Sequence, residues 1–186
     1  MTTEHELLIA GFGGQGVLSM GQILSYAAVA EGKEVSWMPS YGPEMRGGTA
    51  NCIVIISDAR ISSPIVSEFD SAIILNQPSM EKFEKAIKPG GLLLYESSTV
   101  IQPSTRSDIE IVSIGAMLEA EALKAKQVAN VLLLGAFLSL RPIVDPLSVL
   151  KGLKKVLPAH RQHLLETNER ALRRGEEIIA ERVVHA

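Results

Sequence analysis

Residues 6–17 read ELLIAGFGGQGV, and this stretch decides the fold class. Residues 6–10 form an apolar run typical of a strand that is covered on both faces. The run stops in a segment with four glycines. Apolar residues then recur at helical spacing from Val17 to Val29, and Gly32 follows as a stop signal. The sequence therefore predicts a strand, a tight glycine-rich turn and a helix in direct succession.

The same alternation of strand and helix continues along the chain. Five further apolar runs predict strands at 34–38, 51–56, 69–75, 92–95 and 109–112. We expect the second strand to end at Pro39, and from Ala116 onward the pattern is helical only. This order predicts one α/β domain over residues 1–186, with a Rossmann-like, mostly parallel sheet covered by helices on both faces and a C-terminal helical layer. Strands 6–10 and 53–56 are expected in one sheet.

Composition and charge exclude several classes of protein. The 186 residues include 18 Lys+Arg and 21 Asp+Glu, a net charge of −3, so we expect no nucleic-acid partner. The basic excess of residues 151–186 is interpreted as a solvated helix face. No apolar run reaches the roughly 18 residues of a membrane span, and the first residues lack a basic signal-peptide region, which predicts a cytoplasmic protein without a membrane partner. The single cysteine, Cys52, is expected in the core and cannot supply the about four thiolates of an iron–sulfur cluster.

The glycine-rich turn is the first candidate site. Residues 11–16 read GFGGQG and satisfy the pattern G-x-G-x-x-G between a strand and a helix. Glycines allow a ligand to approach the backbone, and the following helix N-terminus favours anions, which indicates contact with a phosphate or nucleotide. The alternative is that the glycines only permit a tight turn. NAD is disfavoured because residues 37–40, WMPS, lack the carboxylate that would hold a ribose, and ATP is disfavoured because no Walker A loop is present.

The second candidate site is the segment 40–49, SYGPEMRGGT, which follows the second strand. We expect it beside the glycine turn, because parallel strands end at one edge of a sheet. Arg46 can bind a carboxylate or phosphate through paired hydrogen bonds, and Tyr41 can stack on a planar group. The alternative is a surface loop with a solvated arginine. We expect the backbone amides of residues 14–16 to face a groove that Tyr41 and Arg46 also line. The sequence contains no catalytic triad and no metal-ligand pattern, so no catalytic or metal-binding residue is predicted.

Taken together, these two loops and the segments 130–136 and 168–171 resemble the gamma subunit of 2-oxoacid:ferredoxin oxidoreductases, the pyruvate, 2-oxoglutarate and 2-oxoisovalerate family. The resemblance covers nearly the whole chain. It implies a non-autonomous subunit of a complex that oxidatively decarboxylates a 2-oxoacid, reduces ferredoxin and transfers the acyl group to coenzyme A. Thiamine diphosphate and the iron–sulfur clusters are then expected on partner subunits.

The resemblance also implies a ligand and partners for this chain. It associates the gamma subunit with coenzyme A, whose phosphates and pantetheine suit the two glycine-rich loops. The candidate cofactor-binding residues are Gly11, Gly13, Gly14, Gln15, Gly16, Ser40, Tyr41, Arg46, Gly47 and Gly48. Expected partners are the other subunits, ferredoxin through the complex, and a second copy when the chain is isolated. The expected substrate is 2-oxoglutarate or a branched-chain 2-oxoacid. Two alternatives stay open, namely a subunit of indolepyruvate oxidoreductase and a stand-alone nucleotide-binding module without catalysis.

Overall fold

The computed structural model describes residues 4–41 and 49–184. Its strands are β1 (Glu4–Phe12), β2 (Glu34–Tyr41), β3 (Thr49–Ser57), β4 (Phe69–Ile74), β5 (Ile87–Glu96) and β6 (Glu110–Ile114). Its α-helices are α1 (Val17–Ala30), α2 (Gln77–Phe83), α3 (Ala116–Ala122), α4 (Ala129–Leu140), α5 (Pro146–Val156) and α6 (Leu165–Val184). Short 3-10 helices cover Glu84–Ala86, Lys126–Val128 and Ala159–Leu164.

The strands form one mixed sheet in the order β2-β3-β1-β4-β5-β6. β1, β4, β5 and β6 pair in parallel, whereas β3 is antiparallel to both of its neighbours, β1 and β2. Five of these six strands therefore point in one direction, which confirms a mostly parallel sheet. Leu8 pairs with Ile53, so the two segments expected in one sheet are direct neighbours.

The second strand is longer than the sequence predicted. β2 does not end at Pro39 but continues to Tyr41, and Pro39 lies opposite Cys52 of β3. β2 is an edge strand that pairs with β3 alone, so a residue without an N–H group can sit in it without breaking a ladder. Ser40 and Tyr41, which were expected in a loop, are therefore strand residues.

Helices cover the sheet on both faces, as predicted. Leu7 and Ile9 of β1 point into a core with α1 and the C-terminal helices α3 to α6. Leu8 and Ala10 point to the other face, where Met80 of α2 closes a second, smaller core. Successive residues of a strand point to opposite faces, so an unbroken apolar run is required here.

The C-terminal helical layer is held by a close crossing of α4 and α6. The α4 residues 131–138 are all buried. A Cβ atom on Gly175 of α6 would overlap the carbonyl oxygen of Leu132 and lie 2.7 Å from the amide nitrogen of Ala136. The two backbones are therefore in direct contact. Among the helices of the described ranges, none has the length and apolar character needed to cross a membrane.

Candidate functional site

The glycine turn lies at the carboxyl end of β1, where the chain connections diverge. The connection through α1 leads to β2 and β3 on one side of β1, and β4 lies on the other side. Ligands of open α/β sheets bind in the crevice at such a point. The amide of Leu75, the residue after β4, donates to the carbonyl oxygen of Ala10 at 2.8 Å, so the ends of β1 and β4 are in register at this edge.

Gln15 lines the groove and also closes the turn through its side chain and its backbone amide. Its side-chain Oε1 accepts from the amide of Phe12 at 2.6 Å, and its Nε2 donates to the carbonyl oxygen of Leu75 at 3.0 Å. Its own backbone amide donates to the carbonyl oxygen of Phe12 at 3.2 Å. The prediction that the Gln15 amide faces the groove is therefore wrong, because the hydrogen bond of the turn uses that amide.

The glycines of the turn have different roles. A Cβ atom on Gly11 would lie 2.7 Å from Oε1 of Gln15 and 2.9 Å from Cβ of Leu75, so Gly11 is needed for packing. Gly16 has φ +79°, and a Cβ atom there would overlap Nδ2 of Asn130 and lie 2.8 Å from its Cγ. Gly14 has φ +98° and is exposed, and a Cβ atom added to it would have no described atom within 4 Å. Gly14 thus leaves its backbone open.

The helix that follows the turn favours an anion. α1 begins at Val17 and its first turn contains no acidic residue. Its N-cap residue is Gly16, which has no side chain to accept hydrogen bonds from the first amides. A helix N-terminus with free amides carries a partial positive charge, so it attracts phosphate or carboxylate.

A groove of about 430 Å³ lies in front of the turn. Two cationic side chains line it, Lys126 before α4 and Arg161 before α6, together with Gly14, Gly16 and Asn130. Nδ2 of Asn130 donates to the carbonyl oxygen of Gly16 at 3.4 Å, which links the start of α4 to the turn. Sequence reasoning missed both cations as site residues, because each lies more than a hundred positions beyond the turn and only the fold brings them to it.

A buried carboxylate, Glu96, forms part of the groove wall. It is 1% exposed, and its Oε1 accepts from the amide of Ser98 at 3.0 Å and from its Oγ at 2.6 Å. Oε2 accepts from the amide of Met117 in the first turn of α3 at 3.2 Å. Since three donors compensate this charge, Glu96 fixes the wall and the start of α3.

The ends of the second loop lie at the same edge of the sheet. Thr49 pairs with Phe12 at the end of β1, whereas Tyr41 pairs with Ala50 of β3 and lies one strand further from β1. Ser40 is exposed at this edge. Arg46, Gly47 and Gly48 lie outside the described residues, as does the side chain of Tyr41. Their part in the site stays a prediction.

Cys52 is a core residue. Its Sγ donates to the carbonyl oxygen of Val17 at 3.5 Å, and burial raises the pKa of the thiol to about 12. A thiol with this pKa stays protonated, so it is a poor nucleophile and metal ligand. Within residues 4–41 and 49–184, no three His, Cys, Asp or Glu side chains form a group that could hold a metal ion.

A comparison with protein families shows the family of this chain. The family model described as pyruvate ferredoxin/flavodoxin oxidoreductase matches residues 6–178. The chain belongs to this family. Its α/β fold and its resemblance to the gamma subunits are confirmed by the same comparison and by the relatives below.

Three proteins similar to this chain illustrate the relationship. The 2-oxoglutarate synthase subunit KorC of Methanocaldococcus jannaschii is 34% identical, over 96% of this chain and 95% of KorC. The keto/oxoacid ferredoxin oxidoreductase gamma subunit from Geobacter sulfurreducens superimposes with a TM-score of 0.82 at 29% identity, over 94% of this chain and 95% of that one. The ketoisovalerate oxidoreductase subunit VorA of Methanothermobacter thermautotrophicus is 38% identical over 97% of this chain, but this chain spans only 37% of the length of VorA.

Proposed function

We propose that this chain is the gamma subunit of a 2-oxoacid:ferredoxin oxidoreductase complex and that its groove binds the phosphate end of coenzyme A. The subunit assignment is supported by family membership and by full-length similarity to a KorC and to a gamma subunit. The complex would convert a 2-oxoacid and coenzyme A into acyl-coenzyme A and carbon dioxide while reducing ferredoxin. Its other subunits are the proposed partners of this chain.

The observation that carries the ligand assignment is the open backbone of Gly14 at the mouth of the groove. With no described atom within 4 Å of its Cβ position, a phosphate can approach the turn closely. The uncapped first turn of α1 adds a favourable partial charge. Arg161 adds a cationic side chain from one further wall, and Lys126, whose Nζ is paired with Glu121 at 2.7 Å, adds a second from another. The residues present therefore fit a phosphate-bearing ligand.

The strand order argues against a dinucleotide as the ligand of this groove. In a classical Rossmann domain the second strand lies next to the first and holds the ribose at its end. Here β3 separates β2 from β1, so the end of β2 is displaced by one strand. The volume of about 430 Å³ also falls at the lower end of ordinary ligand sites, roughly 300–1,000 Å³, so part of a large ligand would extend beyond this chain.

The redox cofactors are proposed on partner subunits. Cys52 is the only cysteine of the sequence, and its buried thiol is not available to an iron–sulfur cluster. We propose that thiamine diphosphate and the clusters belong to those subunits, and that the acyl end of coenzyme A extends toward them. The substrate we propose is 2-oxoglutarate or a branched-chain 2-oxoacid, since the KorC and VorA relatives carry those names.

The experiment compares Gly14→Ala with Gly32→Ala in the reconstituted complex. Gly32 has φ +76°, also has open space around its Cβ position, and lies at the far end of α1. Both variants therefore introduce backbone strain from a positive φ, of about 1–2 kcal/mol. Only Gly14→Ala places a methyl group where the ligand would approach.

We expect Gly14→Ala to raise the KM for coenzyme A roughly tenfold or more, because a charge-assisted hydrogen bond contributes about 1.5–3 kcal/mol. Gly32→Ala should leave this KM unchanged. Exchange of carbon dioxide into the 2-oxoacid, measured without coenzyme A, serves as a control and should be the same in both variants. An equal KM for coenzyme A in the two variants would contradict the proposal.

A further inference from the structure

A basic surface adjoins the groove at the end of α5. We define it as Lys151, Lys154 and Lys155 of α5 with His160, Arg161 and His163 of the following 3-10 helix, and all six are exposed. The twenty residues from Pro146 to Leu165 include four Lys or Arg and no Asp or Glu. This is unusual in a chain whose net charge is −3.

The positive charges of the basic surface are not neutralised locally. None of its Lys or Arg side chains forms an ion pair with a carboxylate of residues 4–41 and 49–184. By contrast, Arg174 on the next helix contacts three glutamates at 2.8–3.3 Å. Lys154 and Lys155 also complement the C-terminal dipole of α5. Lys151 lies outside the last turn of α5, and Arg161 lies beyond the helix. The helix dipole therefore does not explain why these two positions are positively charged.

Hydrogen bonds hold the basic surface against the groove. Nε2 of Gln162 donates to the carbonyl oxygens of Lys154 at 3.0 Å and of Leu157 at 2.6 Å. This fixes the 3-10 helix on the end of α5. Leu157 and Arg161 line the groove. The lysines at the end of α5 are therefore part of one rigid unit with a groove-lining arginine.

We propose that the basic surface captures a phosphate-bearing anion from solution and steers it into the groove, where Arg161 makes the inner contact. A negatively charged protein repels an anionic ligand at long range. A local patch of positive charge turns this repulsion into attraction near the mouth of the groove. Steering of this kind raises association rates and is weakened by salt. The inference rests on the proposed function, since coenzyme A is the anion it assigns to the groove.

The test compares two double variants that each remove two positive charges. Lys154→Gln/Lys155→Gln changes the basic surface. Lys82→Gln/Lys85→Gln changes exposed lysines of α2 and the 3-10 helix after it, which pack on the other face of the sheet. The measurement is kcat/KM for coenzyme A in the reconstituted complex at low and high ionic strength. Circular dichroism verifies folding. Lys151→Gln/Lys155→Gln is a second variant of the basic surface, and it keeps one lysine in the last turn of α5 to complement the helix dipole.

We expect kcat/KM for coenzyme A to fall about three- to tenfold in Lys154→Gln/Lys155→Gln at an ionic strength of roughly 0.02 M, with kcat unchanged. The difference should disappear at about 0.5 M salt, where the Debye length is only a few ångströms. Dephospho-coenzyme A, which has one phosphate less, should show a smaller fall. The Lys82→Gln/Lys85→Gln control should match the unmodified complex.

Two outcomes overturn the proposal. One is an equal kcat/KM in the two double variants at low salt. The other is a failure of folded Lys154→Gln/Lys155→Gln to join the other subunits, which would make the basic surface a docking site. Failure of the proposed function is distinguishable, because Gly14→Ala would then leave the KM for coenzyme A unchanged whatever the lysines do.

Discussion

The contact between Gly16 and Asn130 gives a quantitative prediction about the turn. Gly16 has φ +79°, and a Cβ atom there would overlap Nδ2 of Asn130, lie 2.8 Å from its Cγ and 3.1 Å from its Cβ. Asn130 is in the first turn of α4, and its Nδ2 donates to the carbonyl oxygen of Gly16 at 3.4 Å. The two residues thus join the starts of α1 and α4 at the groove.

The magnitude follows from these distances. Gly16→Ala introduces left-handed strain of about 1–2 kcal/mol and an overpacking penalty of about 1–3 kcal/mol, so the free energy of unfolding should fall by about 2–5 kcal/mol. Asn130→Ala removes one long hydrogen bond, which contributes about 0.5–1.5 kcal/mol. The double variant lacks Nδ2 and Cγ, so only the contact at 3.1 Å remains and most of the overpacking is relieved.

The assay is urea unfolding of the four proteins of this double-mutant cycle. We expect the double variant to be more stable than the sum of the single losses implies, with a coupling energy of about 1–3 kcal/mol. Additive losses would refute the reasoning, because they would mean that Asn130 does not restrict residue 16.

Two further predictions concern the helical layer and the pH dependence of stability. Gly175→Ala should lower the free energy of unfolding by about 3 kcal/mol or more, since its Cβ would overlap the backbone of Leu132. Gly90→Ala is the control in thermal unfolding, because Gly90 has open space and φ +79°, so alanine there adds only backbone strain of about 1–2 kcal/mol. An equal loss in both variants would contradict the crossing. Burial lowers the pKa of His5 below its ordinary 6.5. As the pH falls below 6.5, the unfolded chain therefore binds a proton at this residue more readily than the folded chain does, and the free energy of unfolding decreases. His5→Asn should therefore flatten the decline in stability between pH 7 and 5, and an unchanged slope would contradict this role.

The sequence predicted the central elements of the fold because their signals are local. The apolar run 6–10, the glycines after it and the helical spacing from Val17 belong to one continuous stretch, and the structure has β1, the turn and α1 there. The position of β3 between β1 and β2 was not predictable, since an apolar run does not say which strand it pairs with. The extension of β2 past Pro39 depends on its edge position, which is also a property of the whole sheet.

The sequence predicted where the glycine turn lies in the fold, whereas its role as a ligand site stays a prediction. The motif indicated a ligand-facing turn. Two of its glycines, Gly11 and Gly16, are instead required because a Cβ atom there would collide with Leu75 or Asn130, which lie far along the chain. Lys126 and Arg161 carried no sequence signal for this site, because nothing near them in the chain marks the groove. The basic stretch after residue 150 was interpreted as a solvated helix face, and only its place beside the groove suggests another role.

The most direct measurement of the central claim is amide hydrogen exchange in the reconstituted complex with and without coenzyme A. If the groove holds the phosphates of coenzyme A, peptides that cover residues 13–19 and 126–131 should exchange more slowly when it is present, because residues of both segments line the groove and the segments include the N-termini of α1 and α4. A peptide that covers Gly90, at the opposite end of the parallel strands, should not change. Unchanged exchange in residues 13–19 at saturating coenzyme A would contradict the account.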